Sequence, residues 1–156
     1  VNASLVLYED QDESLWNKEL ISRGVYHLHQ AATGNQLTRY HLEASIAYWH
    51  TIKEDTPEKW ENILQLYNKL LRIEYSPIAA LNRTYALAKA NGKHEAIWEA
   101  EKLQLTTNQY YFTLLGELYG DVDNIKSIDC YNKALALAST QADKNAITQR
   151  LSRLGV

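Results

Sequence analysis

Methionine is absent from the 156 residues, cysteine and phenylalanine each occur once, proline twice and glycine six times. Each scarcity excludes something. The single Cys130 cannot close an internal disulfide, so a disulfide-stapled scaffold is ruled out and a reducing, cytoplasmic setting is expected. Without methionine, Val1 is expected to be internal to a longer protein or to follow a processed segment. No charged-then-apolar leader opens the sequence, and no apolar run nears the roughly 18 residues of a membrane span, so no membrane partner is expected. The formal net charge of −3 makes the chain a poor candidate for gripping nucleic acid by itself.

What is present points to helices. Apolar residues make up 46% and charged residues 22%, the balance of a soluble globular protein of one domain. Ala and Leu supply a quarter of the chain, and the aromatic load is carried by 11 Tyr and 4 Trp, whose polar tips need partners or water. Apolar residues from Leu15 to Ala32 recur at helical spacing and predict a helix over 14–32, capped by Asp12 or Ser14 and stopped at Gly34-Asn35. Further helices are predicted over 38–53, 57–74, 77–90, 93–104, 107–119, 124–138 and 140–154. Thr56-Pro57 and Ser76-Pro77 give two of them the same start signal, a hydroxyl cap followed by proline in the first turn. No stretch alternates with the period of a strand. The expected fold is all-α, about eight antiparallel helices.

A repeat is legible within this series. Tyr67, Ala100 and Tyr131 hold equivalent places, spaced by 33 and 31 residues, close to the helix-pair length of tetratricopeptide repeats. The clearest copy is Phe112-x-x-Leu115-Gly116-x-x-Tyr119 followed by Ser127, Tyr131 and Ala134. Small Gly116 and Ser127 would let paired helices approach, with Tyr119 and Tyr131 filling the space between repeats. A weaker copy runs from Asn82 to Ala100, and the copy before it is degenerate. Three repeats flanked by capping helices make a short right-handed solenoid, one TPR-like domain over 1–156. Its groove is expected to show Leu81, Tyr85, Ala88 and Lys89 from one repeat and Tyr110, Thr113 and Glu117 from the next, a tyrosine-rich face without a basic clamp for a peptide carboxylate.

Chemistry is sparse. His27 and His29 lie on nearly opposite faces of one predicted helix, and His41, His50 and His94 have no ligand at metal spacing. Asp121-Val122-Asp123-Asn124 lacks the glycine and glutamate that a calcium loop needs. Cys130, inside an alanine-rich helix, reads as a small buried hydrophobe. No nucleophile–base order, phosphate-cradling glycine loop or zinc-protease motif is present, so neither an enzyme nor a cofactor is expected. Two segments stand out. Glu9-Asp10-Gln11-Asp12-Glu13 places four acids in five residues ahead of Trp16, more than helix capping requires. In Ser76–Arg83, Arg83 falls on a helix-packing position, where a guanidinium must be paired; Asn82 beside it is suited to bridge neighbouring helices.

These two segments also carry a resemblance. Leu7–Trp16 with Leu20-Ile21 and Gly24, Tyr40–Ala44 with Ile46-Ala47 and His50, and Trp60-x-x-Ile63-x-x-Leu66-Tyr67-x-x-Leu70-Leu71 followed by Ser76-Pro77-Ile78-x-Ala80-Leu81-Asn82-Arg83 are similar to a group of bacterial extracytoplasmic-function RNA polymerase sigma factors with a large C-terminal tetratricopeptide-like extension. Ala134–Ala138 and Arg150-Leu151-x-x-Leu154 agree with it. Glu13 and Asn17 depart from it, standing where the family usually has Arg and often has Asp. The resemblance implies a regulatory domain of a cytoplasmic transcription initiation factor. Its partners would be sigma regions 2 and 4 of the same polypeptide and, through them, the RNA polymerase core. DNA would be contacted by those regions, which are absent from this chain. The residues expected to meet a partner are Glu9, Asp10, Gln11, Asp12, Trp16, Asn82, Arg83, Tyr85 and Tyr110. The alternative is a free-standing repeat scaffold that binds a peptide in its groove.

Overall fold

A computed structural model describes residues 35–156; the helix predicted over 14–32 and the acidic run Glu9–Glu13 lie outside the described residues. The described chain is all-helical, with seven helices and no strand among the described residues. The described residues divide into two compact units, the first ending at Ala90 and the second Asn91–Val156.

The first unit holds α1 (Asn35–Thr51), α2 (Pro57–Ile73) and most of α3 (Pro77–Asn91). Thr56 accepts a hydrogen bond from the Lys59 backbone N–H and Pro57 begins α2, so the start signal read from sequence is the one used. Ser76 does the same for α3, accepting from the Ala79 N–H at 3.0 Å. α1 packs on α2. Their shared core contains Leu42 and Ile46 facing Trp60, Ile63, Leu64, Tyr67 and Leu70, the i, i+3, i+4 stripe of an amphipathic helix. α1 ends at Thr51, two residues earlier than predicted, and the buried Lys59 ammonium takes up the Ile52 carbonyl at 2.7 Å. A carbonyl that leaves the helix ladder next to apolar side chains needs such a donor.

The second unit holds α4 (Lys93–Lys102), α5 (Gln109–Tyr119), α6 (Asn124–Leu137) and α7 (Gln141–Arg153). Gly92, with φ +102°, makes the break between α3 and α4, a backbone angle that side chains strain to adopt. α4 stops two residues short of the prediction because Gln104 turns left-handed, φ +50°, with its side-chain amide donating to the Glu101 carbonyl. α5 also starts later than predicted. Thr107 is not its cap; the chain turns through 105–108, and Asn108 accepts from the Tyr110 N–H at 2.8 Å. Asp123 and Thr140 cap α6 and α7.

Packing inside this unit centres on the α5–α6 pair. Ser127 donates to the Gly116 carbonyl at 2.6 Å, and the Tyr131 ring lies flat against the space where Gly116 has no side chain. α7 closes on α6 through Ile147 and Leu151, which join Tyr131, Ala134 and Ala138 in one cluster. Tyr131 thus sits inside the α5–α6 pair as well as against α7. Cys130 is buried, as its setting in the sequence suggested, and burial with the neighbouring Asp129 charge pushes its thiol up to about 11.

Side-chain bonds at a nearly constant sequence separation run through both units. In the first, Arg39 pairs with Glu74 and Lys89 with Asp55, separations of 35 and 34. In the second, Gln109 and Tyr110 bond to Asp143 and Glu117 pairs with Arg150, separations of 34, 33 and 33.

Candidate interaction site

The residues singled out from sequence fall into three places. Glu9, Asp10, Gln11, Asp12 and Trp16 lie outside the described residues. Asn82, Arg83 and Tyr85 come together on α3 in the first unit, and Tyr110 stands at the start of α5 in the second.

On α3 it is Tyr85 that packs against Trp60. The Trp60 ring meets Tyr85 edge to face at 5.5 Å and His50 at 5.8 Å, and its indole N–H donates to Asp55. Two ammonium groups approach the same ring, Lys59 at 5.3 Å and Lys89 at 5.8 Å, where the negative ring face favours cations. Lys89 also stands 3.5 Å from Asp55. Burial would raise the Asp55 carboxyl, but donation from Trp60 and the charge of Lys89 outweigh it and hold the group below its usual range. Tyr85 is only 6% exposed, so its ring is engaged in packing here. Leu81, expected beside it on a groove, is buried completely.

Asn82 and Arg83 face α2. Asn82 hydrogen-bonds the buried Tyr67 phenol, whose pKa burial drives upward, with the Glu43 charge adding to the rise. Arg83 is half-buried and its Nε donates to Asn68 Oδ1 at 2.6 Å. The guanidinium that the sequence required to be paired therefore has an amide oxygen among its partners, and Asn82 bridges helices as that pattern implied. Among the described residues His50 is the most strongly perturbed histidine: burial, with the nearby Lys59 charge second, lowers it to about 4.

At the start of α5, Tyr110 is half-buried and its hydroxyl donates to Asp143 of α7 at 3.4 Å, beside a 2.9 Å bond from Gln109 to the same oxygen. Two turns further along, Arg150, 4% exposed, pairs with Glu117 at 2.5 Å, and the Tyr131 hydroxyl donates to the same carboxylate at 3.0 Å. Sequence reasoning placed Glu117 on a groove and missed its pairing with Arg150. The two residues stand 33 apart, and nothing in the local pattern marks either of them.

These side chains fix helices to one another, and none is arranged as a nucleophile with its base. Among the described residues no group of three His, Cys, Asp or Glu gathers as metal ligands, and no helix is long and apolar enough to cross a membrane. No family model matches the chain, and no solved structure matches it. An uncharacterized protein of Rhizobium meliloti (strain 1021) is 31% identical over 158 residues, which take in 98% of this chain. The chain spans 37% of the length of that relative.

Proposed function

We propose that the chain is the regulatory C-terminal domain of an extracytoplasmic-function sigma factor, a TPR-like helical array that modulates transcription initiation through contacts with sigma regions 2 and 4 of the same polypeptide. The observation that carries this reading is the Trp60–Arg83 segment. Its distinctive residues, Trp60, Tyr67, Asn82 and Arg83, are those that build the α2–α3 junction, so the motif has a physical reason to exist as a set. The side-chain bonds separated by 33 to 35 residues support a repeat of tetratricopeptide length, because their separation is close to the roughly 34 residues of such a helix pair. A relative in which this sequence is 37% of the length fits a domain carried by a longer protein. In this reading the protein acts in the cytoplasm, the acidic Glu9–Glu13 segment docks on a basic partner surface, and the helical array biases the conformation that binds polymerase.

The test is promoter-specific transcription by the longer polypeptide with RNA polymerase core. Charge reversal at Asp10 and Asp12 is expected to change its output; unchanged output removes the acidic-docking element. A longer polypeptide that fails to bind core removes the sigma-factor reading. The half-exposed Tyr110 beside Asp143 then favours the second reading, a scaffold that holds a peptide in its groove, checked by peptide binding with Tyr110→Ala.

A further inference from the structure

Of the asparagines in the sequence, Asn91 alone is followed by glycine. It is the last residue of α3 and is exposed. Gly92 stands between α3 and α4 and belongs to neither. Its φ is +102°, and the space beside its Cα is open, since a Cβ built there would meet nothing within 4 Å. Asn62, Asn68, Asn82, Asn108 and Asn124 are held differently. Their side chains are engaged in hydrogen bonds, and each is followed by a residue that carries a side chain.

An asparagine side chain is an electrophile for the next main-chain nitrogen when that nitrogen can reach its Cγ. Two features of a folded chain prevent this. Bulk on the following residue shields the nitrogen, and a helix interior fixes the main chain so that the nitrogen is held away from Cγ. Neither protects Asn91. Position 92 has no side chain and takes the open range of angles that glycine allows, and the last turn of a helix frays. Attack by the Gly92 nitrogen forms a C–N bond to Asn91 Cγ and closes a five-membered imide. The side-chain nitrogen leaves as ammonia, carrying the proton that Gly92 gave up. One water then opens the ring. Cleavage between Cγ and the Gly92 nitrogen yields aspartate at position 91. Cleavage between the Asn91 main-chain carbonyl carbon and that nitrogen yields the isoaspartyl product, whose main chain runs through Cγ.

We propose that Asn91-Gly92 is a self-modification site, at which the folded chain converts Asn91 through a cyclic imide into a mixture of aspartyl and isoaspartyl residues. Both products carry a new negative charge at the C-terminal end of α3, and the isoaspartyl product adds one carbon to the main chain between α3 and α4. The chemistry consumes only water and is independent of the function proposed above.

The experiment incubates the folded 156-residue chain in mildly alkaline buffer, where the Gly92 nitrogen loses its proton more readily, and follows each asparagine by peptide mapping with mass spectrometry. A gain of about one dalton is expected in the peptide that holds Asn91, as two products of equal mass that separate by chromatography. It should appear at least about tenfold faster than in peptides that hold the other asparagines of residues 35–156. Asn91→Gln, which would need a six-membered ring and leaves the backbone at Gly92 untouched, should slow the conversion at least about tenfold. Conversion spread evenly over the asparagines overturns the proposal. So does conversion at Asn91 that proceeds only in urea, because the end of α3 would then be holding Cγ away from the Gly92 nitrogen in the folded chain. An Asn91→Gln chain that converts as fast as the unaltered one would show direct hydrolysis and overturn the imide route.

Discussion

Gly116 of α5 and Tyr131 of α6 are in contact so close that a Cβ on the glycine would lie 2.7 Å from two carbons of the ring. No real Cβ contact is that short, so the two helices pack where they do only because position 116 has no side chain. Glycine costs a helix interior about 1 kcal/mol relative to alanine, so Gly116→Ala gains that much locally. It must then displace a buried ring that is flanked by Ala134, Ile147 and Leu151, and overpacking of this kind costs about 1–3 kcal/mol. The net expectation is destabilisation of up to about 2 kcal/mol, read from urea unfolding. Tyr131→Leu should remove the clash, so the double variant should be less destabilised than the sum of the two singles.

The Glu117–Arg150 pair predicts an asymmetry. Arg150 is nearly sealed from solvent, whereas Glu117 keeps 26% of its side-chain exposure. Glu117→Gln leaves a buried guanidinium short of its anion and should cost about 3 kcal/mol, the lower end for breaking a buried pair. Replacing both, Glu117→Leu with Arg150→Met, should cost less than Glu117→Gln alone, because no charge is left stranded. Urea midpoints of the three variants check this, and a double replacement worse than the single one would show that the pair contributes net stability.

His50 makes stability depend on pH. Its folded value of about 4 lies below the unfolded value of 6.5, so between them the unfolded chain binds the extra proton. The stabilising contribution is therefore fully present above pH 6.5 and is lost as pH falls toward 4. From pH 7.5 to 5 the loss amounts to about 2 kcal/mol. His50→Phe keeps an aromatic ring beside Trp60 and removes the proton. Its stability should vary less over that range than that of the unaltered chain, the difference being the histidine's share.

The contrast between Thr56 and Thr107 shows where sequence was sufficient. Thr56-Pro57 names a cap and a first turn together, and α2 begins there. Thr107 had no proline and competed with Asn108, an equally good cap one residue on, and the asparagine took the role. The spacing of Gly116, Ser127 and Tyr131 matches the small and large positions of a tetratricopeptide pattern, and the close helix pair that it anticipated is present. Lys59 was illegible: a lysine in a first turn is usually solvated, and its burial depends on a carbonyl that α1 leaves open at Ile52. Arg83 was readable as paired because an apolar residue is usual at its place in the tetratricopeptide pattern, but the Asn68 oxygen that it bonds lies on another helix and follows only from the packing. The candidate site was legible to the same extent. Asn82 and Arg83 were found by their unusual place, while the Tyr67 and Asn68 side chains that they bond follow only from the packing.

Arg83 should fail through the fold when replaced. Arg83 donates to Asn68 within the α2–α3 junction, so Arg83→Ala and Asn68→Ala remove one shared bond. Each should cost about 1 kcal/mol or somewhat more, and the double variant less than their sum, with a coupling of at least about 0.5 kcal/mol. Arg83→Lys should not rescue, since an ammonium lacks the guanidinium's fixed Nε geometry. Loss of transcription by Arg83→Ala in the longer polypeptide would then follow loss of fold and should recover on cooling to the temperature at which its unfolding midpoint matches that of the unaltered protein. Transcription and the unfolding midpoint of Arg83→Ala, measured at both temperatures, separate a residue that holds the junction together from one that meets a partner: a defect that persists once the midpoints match would place Arg83 at a partner contact.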